Sequence, residues 1–118
     1  MKNFAPKICR QRMVIEGIYS TKLTPPKLKK FMNGLSKKLR MTILFGPIVK
    51  NLAGKFNPKH KGFECILIWA SSGASVYIWE YHNFFTVDIY TCRKFDPKKA
   101  LAYTKEFFQA EKIAYKNI

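Results

Sequence analysis

The chain has 118 residues, 47% of them hydrophobic and 15% aromatic, with 22 Lys and Arg against 7 Asp and Glu for a formal charge of +15. That is one domain's worth of core, too little for two and too apolar for a disordered tail. No run approaches the roughly 20 apolar residues of a membrane helix. Residues 1–10, a short basic extension interrupted by Pro6, lack the apolar middle of a secretory signal, so a cytoplasmic location is expected.

Residues 11–19, dominated by apolar and β-branched side chains, read as a first strand. Thr24 before Pro25 is an N-cap followed by the residue best tolerated in a first helical turn. Leu28, Phe31, Met32, Leu35 and Leu39 then recur at helical spacing, with lysines filling the other face. Residues 41–49 predict a second strand, broken near Pro47. Residues 50–62, with Gly54, Pro58, His60 and four lysines, predict a loop.

Residues 63–70 read as a buried strand, Ser71, Ser72 and Gly73 as a tight break, and residues 74–79 as the next strand. A turn at 81–83 returns the chain into a strand at 84–91. Asp96-Pro97 repeats the cap-then-proline signal. Ala100, Leu101, Thr104, Phe107 and Phe108 mark the inner face of a second helix, and residues 112–116 predict a final strand. The expected fold class is α+β, in the order β-α-β-β-β-β-α-β. Short hairpin links require an antiparallel sheet with both helices on one face, a two-layer sandwich. The other face needs a cover, so a homodimer stacked as a four-layer αββα sandwich is expected.

Cys9, Cys65 and Cys92 form no closely spaced pair, which argues against a disulfide framework and against a metal site; each reads as a small buried apolar residue. His60 and His82 read as surface residues without a partner carboxylate or thiol. Gly-rich phosphate loops are absent from the sequence. The positive charge attracts nucleic acid at range, but the lysines are scattered along the chain and no RNA-binding aromatic signature accompanies them, so nucleic acid is not the favoured partner.

Ser72 lies seven residues before Trp79 and twenty before Cys92. Val87-Asp88-Ile89-Tyr90-Thr91-Cys92 follows the hairpin, Asp96-Pro97 opens the last helix, and Gly62 precedes the central strand. In these intervals the second half of the chain resembles the prokaryotic, pyruvoyl-dependent S-adenosylmethionine decarboxylases. The first half fits their element order without a motif.

The resemblance implies self-cleavage between Ser71 and Ser72. The Ser72 hydroxyl attacks the preceding carbonyl, and elimination leaves a pyruvoyl group derived from Ser72 as an electron sink for decarboxylation of S-adenosylmethionine, an aminopropyl source for spermidine and other polyamines. It makes Cys92 the proton donor to the substrate carbon, and it gives Trp79 and Glu80 the nucleoside pocket. It gives Tyr77 a catalytic and processing role, and makes Ser71 and Glu64 processing residues; no metal is implied.

This sequence departs from the family at just these places. Ser71 replaces a glutamate, Gly73 and Tyr77 replace histidines, Glu64 replaces a serine, and the proline between tryptophan and glutamate is missing. A phenol of pKa about 10 is a poorer proton shuttle than an imidazole near 6.5. A carboxylate opposes a developing oxyanion. A flexible Gly73, by contrast, strains the turn in a helpful sense. Two other readings stay open on the residues alone: an unprocessed, non-catalytic relative that binds a ligand or a partner subunit, and a basic nucleic-acid-binding module.

Overall fold

The computed structural model describes residues 1–52 and 58–118. Chain order is β1 (Gln11–Ile18), α1 (Pro25–Lys38), β2 (Ile43–Asn51), a 3₁₀ turn (Pro58–His60), β3 (Gly62–Trp69), β4 (Ser72–Trp79), a 3₁₀ turn (Glu80–His82), β5 (Phe84–Thr91), α2 (Pro97–Phe108) and β6 (Lys112–Asn117). The strands form one sheet in the order β2-β3-β4-β5-β1-β6, every neighbouring pair antiparallel. The α+β class and the placing of both helices on one face match the expectation. The centre of the expected loop, residues 53–57, lies outside the described residues.

Each helix starts where its cap sequence says. Thr24 Oγ1 accepts the Lys27 amide at 3.3 Å and Asp96 Oδ1 accepts the Lys98 amide at 2.9 Å, with proline next in both. Leu28, Phe31, Met32, Leu35 and Leu39 are all buried against Met13, Ile15, Cys65, Leu67, Trp69, Val76, Phe85 and Val87 of the sheet. From α2, Ala100, Thr104 and Phe108 are buried, while Leu101 and Phe107 are half-buried at its margin. Phe108 stacks on Phe85 with centroids 4.3 Å apart, and Phe31 meets Tyr103, Phe107 and Phe108. Trp69 Nε1 donates to Ser36 Oγ at 2.8 Å, and Ser36 donates onward to the Met32 carbonyl at 2.7 Å, so the buried polar atoms joining β3 to α1 are paired.

Several strand boundaries differ from the sequence expectation, three of them with a clear physical reason. The β3–β4 hairpin closes over two residues, Ala70 and Ser71, because Trp69 and Ser72 are already a ladder pair; Ser72 and Gly73 therefore belong to β4 and not to a break. β2 runs past Pro47 to Asn51 with register shifts around Phe45, and Pro47, on this edge strand, falls where the ladder is interrupted. β3 begins at Gly62, where a Cβ would collide with the Ile78 carbonyl, so the close approach of β4 dictates glycine there. Of the cysteines only Cys65 is fully buried. Cys9 is exposed, lying before β1, and Cys92 is half-buried at the end of β5.

Candidate active site

Ser72 is the first residue of β4, with 9% of its surface exposed. Its Oγ accepts the Cys92 amide N–H at 2.9 Å, and the Cys92 thiol reaches the Ala70 carbonyl at 3.4 Å. Cys92 directly follows Thr91, the last residue of β5, so two adjacent strands bring together residues twenty apart. The β3–β4 turn just before Ser72 holds the strain: Ser71 has φ 51°, in the left-handed region that an L residue occupies at a cost of order 1–3 kcal/mol. Gly73 is in regular strand, so strain falls on Ser71, whose carbonyl precedes Ser72, rather than on the glycine after it.

Neighbouring groups hold the Cys92 loop. The Gln11 side chain donates to the Phe95 carbonyl at 2.9 Å and accepts the Phe95 amide at 3.0 Å, closing a clamp across 84 residues. Thr91 Oγ1 donates to the Arg93 carbonyl at 2.7 Å. No sequence signal picks out Gln11, because its partner is a backbone amide that any residue at 95 would present.

The other candidate residues lie at the opposite end of β4. Strand alternation puts Ser72, Ala74, Val76 and Ile78 on the helix side and Gly73, Ser75, Tyr77 and Trp79 on the open side. Tyr77 is five residues from Ser72, roughly 16–17 Å along the strand and on the other face, and Trp79 is roughly 23 Å away. Tyr77 pairs in register with Glu64. Glu64, Tyr77 and Trp79 line a cavity of about 330 Å³ with Leu52, His60, Phe63 and Ile78. The His60 ring sits 4.4 Å from that of Trp79, so this exposed histidine is part of the same cluster. Glu80 starts the following 3₁₀ turn, and its charge adds to burial in raising the Tyr19 phenol above its ordinary value.

The structure thus brings together Ser71, Ser72 and Cys92 at one end and Glu64, Tyr77 and Trp79 at the other, and leaves the two groups apart within one chain. Nearer Ser72, the open face holds a cavity of about 430 Å³ beside Gly73, Ser75, Asp88, Tyr90 and Ile66, where Arg12 lies 4.8 Å from the Tyr90 ring centre. Among the described residues no three His, Cys, Asp or Glu side chains are placed to hold a metal ion, and no helix is long and apolar enough to cross a membrane.

Comparison with known proteins gives the family and the fold. The family model described as S-adenosylmethionine decarboxylase matches residues 17–118. The S-adenosylmethionine decarboxylase proenzyme of Clostridium botulinum (strain Hall, Type A) is 38% identical over 72 residues, 60% of this chain and 60% of that protein. That of Pyrococcus abyssi is 40% identical over 58 residues, 48% of this chain and 40% of the other. The matched segment therefore spans 60% or less of the length of these relatives. The crystal structure of the adenosylmethionine decarboxylase from Aquifex aeolicus VF5 superposes with a TM-score of 0.68 at 21% identity, covering 95% of this chain and 90% of that one, a likeness of fold.

Proposed function

We propose, from the premise that the chain belongs to the S-adenosylmethionine decarboxylase family, that it is a cytoplasmic, self-cleaving proenzyme whose mature form decarboxylates S-adenosylmethionine for polyamine synthesis. The observation that supports this most directly is the Cys92 amide held 2.9 Å from Ser72 Oγ, behind a strained Ser71.

The Ser72 oxygen attacks the Ser71 carbonyl carbon. The C–N bond breaks as the ester C–O bond forms, and the hydroxyl proton passes to the nitrogen of residue 72. Loss of the Ser72 α-proton then expels the Ser71 carboxylate, and water replaces the nitrogen, which leaves as ammonia. A keto group made from Ser72 fits this place, because residue 72 begins a strand right after a turn and scission there frees an end without interrupting the ladder beyond it. When formed, that pyruvoyl group supplies the electron sink for loss of carbon dioxide. Cys92, tethered at the end of β5, holds the proton that returns to the substrate carbon.

Tyr77, Glu64, Trp79 and Glu80 act on this reading from a second copy of the chain. Phe45, Ile66 and Ile68 stand 44–51% exposed on the open face. A two-fold pairing of these faces gives the four-layer αββα homodimer and carries the Trp79 end of one β4 toward the Ser72 end of the other.

Intact mass of the purified protein tests the proposal. Two chains, residues 1–71 and 72–118, are expected, the second blocked at its start. A single full-length chain after prolonged incubation overturns it and favours the unprocessed relative, for which the replacement of a serine by Glu64 and of a histidine by Tyr77 already speaks.

A further inference from the structure

We infer that the helix-bearing face is a docking surface for the phosphate backbone of nucleic acid. The sequence holds two separate lysine-rich stretches; the fold brings them together. Residues 22–40 contain seven Lys and Arg and no carboxylate, and residues 93–109 contain five against Asp96 and Glu106. These two stretches are α1, α2 and their flanks, which form one layer. More than half of the 22 basic residues thus share that layer with two of the seven acidic ones. On the open side of the sheet the register instead places Arg12, Lys50, Lys112 and Lys116 among Glu16, Glu64 and Asp88, close to balance.

Helix stability does not account for this. A solvated helix face is ordinarily laced with Glu–Lys pairs at i,i+4, and its first turn favours a carboxylate. α1 has no carboxylate at all, and Lys29, Lys30, Lys37, Lys38 and Arg40 are exposed. Between the helices lies a groove of about 400 Å³ lined by Lys37, Lys38, Arg40, Lys99, Tyr103 and the single carboxylate Glu106. A ridge of phosphates enters such a groove, whereas a flat bilayer meets only its rims. The apolar stripes of both helices are already spent on the core, leaving none to insert into lipid. With no row of exposed aromatics on the helices to stack bases, recognition is of charge and shape, independent of sequence.

The test is binding of the full-length chain to a fluorescent DNA duplex of about 20 base pairs, titrated from about 50 to 300 mM salt. Binding at low salt with steep salt dependence is expected. The variant Lys37→Gln/Lys38→Gln/Lys99→Gln lowers affinity roughly tenfold or more and shallows the log–log salt slope by about 3. An equally neutralised variant on the other side, Lys50→Gln/Lys112→Gln/Lys116→Gln, changes affinity by less than about threefold. Where the triple variant melts early, Lys99→Gln alone reads out a slope change of about 1. Equal losses in the two triple variants, no binding at low salt, or binding only to phosphatidylcholine vesicles holding about a quarter phosphatidylserine, each overturn the inference. Self-cleavage does not enter, since the Ser72→Ala chain gives the same readout.

Discussion

The two ends of β4 are built differently. At the Ser72 end a hydroxyl, an amide and a thiol are tied together by backbone geometry, the Ser72 hydroxyl buried on the helix side and the Cys92 thiol half-buried just past the end of β5. At the Trp79 end a phenol, a carboxylate, an imidazole and an indole gather on the open side, held by register and ring contact. A strand with a two-residue side-chain period and about 3.3 Å rise cannot bring positions five apart onto one face. Residues that look like one site along the sequence therefore fall into two separate groups within one chain, which the proposed homodimer would join.

The most drastic way to break this comparison is at Ser72 itself. Ser72→Ala is expected to abolish chain cleavage completely, read by intact mass, while the fold remains because the side chain contributes one hydrogen bond. A large effect is also expected at the open face. Ile66→Lys/Ile68→Lys places two ammonium groups where the second copy would cover them, at several kcal/mol each, so sedimentation should show monomers. Mixing a Cys92→Ala chain with a Trp79→Ala chain sharpens the point: activity returns if one site draws on two copies, and stays lost if each chain is self-sufficient.

A smaller effect is expected at the clamp. Gln11→Ala removes two half-buried hydrogen bonds and should cost about 1–2 kcal/mol in urea unfolding, with faster alkylation of Cys92 as its loop loosens.

The mildest prediction concerns alkaline pH. Burial pushes the Cys65 thiol to about 11 from an ordinary 9.0, and Tyr103 to about 12 from 10.0. The folded chain keeps these protons where the unfolded chain has lost them. Stability is therefore full below pH 9.0 and declines as pH rises through about 11 and then about 12. Tyr103→Phe should flatten the upper part of that decline, measured by urea unfolding at stepped pH, while losing the 2.9 Å bond from its hydroxyl to the Phe31 carbonyl.

Much of the fold is legible in the residues because it is local. Thr24-Pro25 and Asp96-Pro97 start helices wherever they stand, and the Leu28–Phe31–Met32–Leu35–Leu39 stripe needs only a 3.6-residue turn. The Ser72–Cys92 approach is legible by a different route: two antiparallel strands with a short connection fix which residues meet. What escapes is set by partners distant in sequence. Ser71 takes a left-handed conformation only because the hairpin closes over two residues, and a serine does not announce it. His60 has no partner in its own neighbourhood and acquires Trp79 through the β3–β4 ladder. The basic residues, dense in residues 22–40 and 93–109 and absent from residues 62–92, become one-sided when both helices land on the same face of the sheet.

The two tryptophans sit at opposite ends of the β3–β4 hairpin. Trp69 is wholly enclosed with its indole on Ser36, whereas Trp79 is half-buried beside His60 on the uncovered sheet. An enclosed indole emits to the blue of a wet one and resists quenching by acrylamide. The molecule therefore contains two intrinsic optical reporters, the first sensitive to loosening of the interior and the second to anything that settles on the bare sheet, distinguishable in a single emission spectrum.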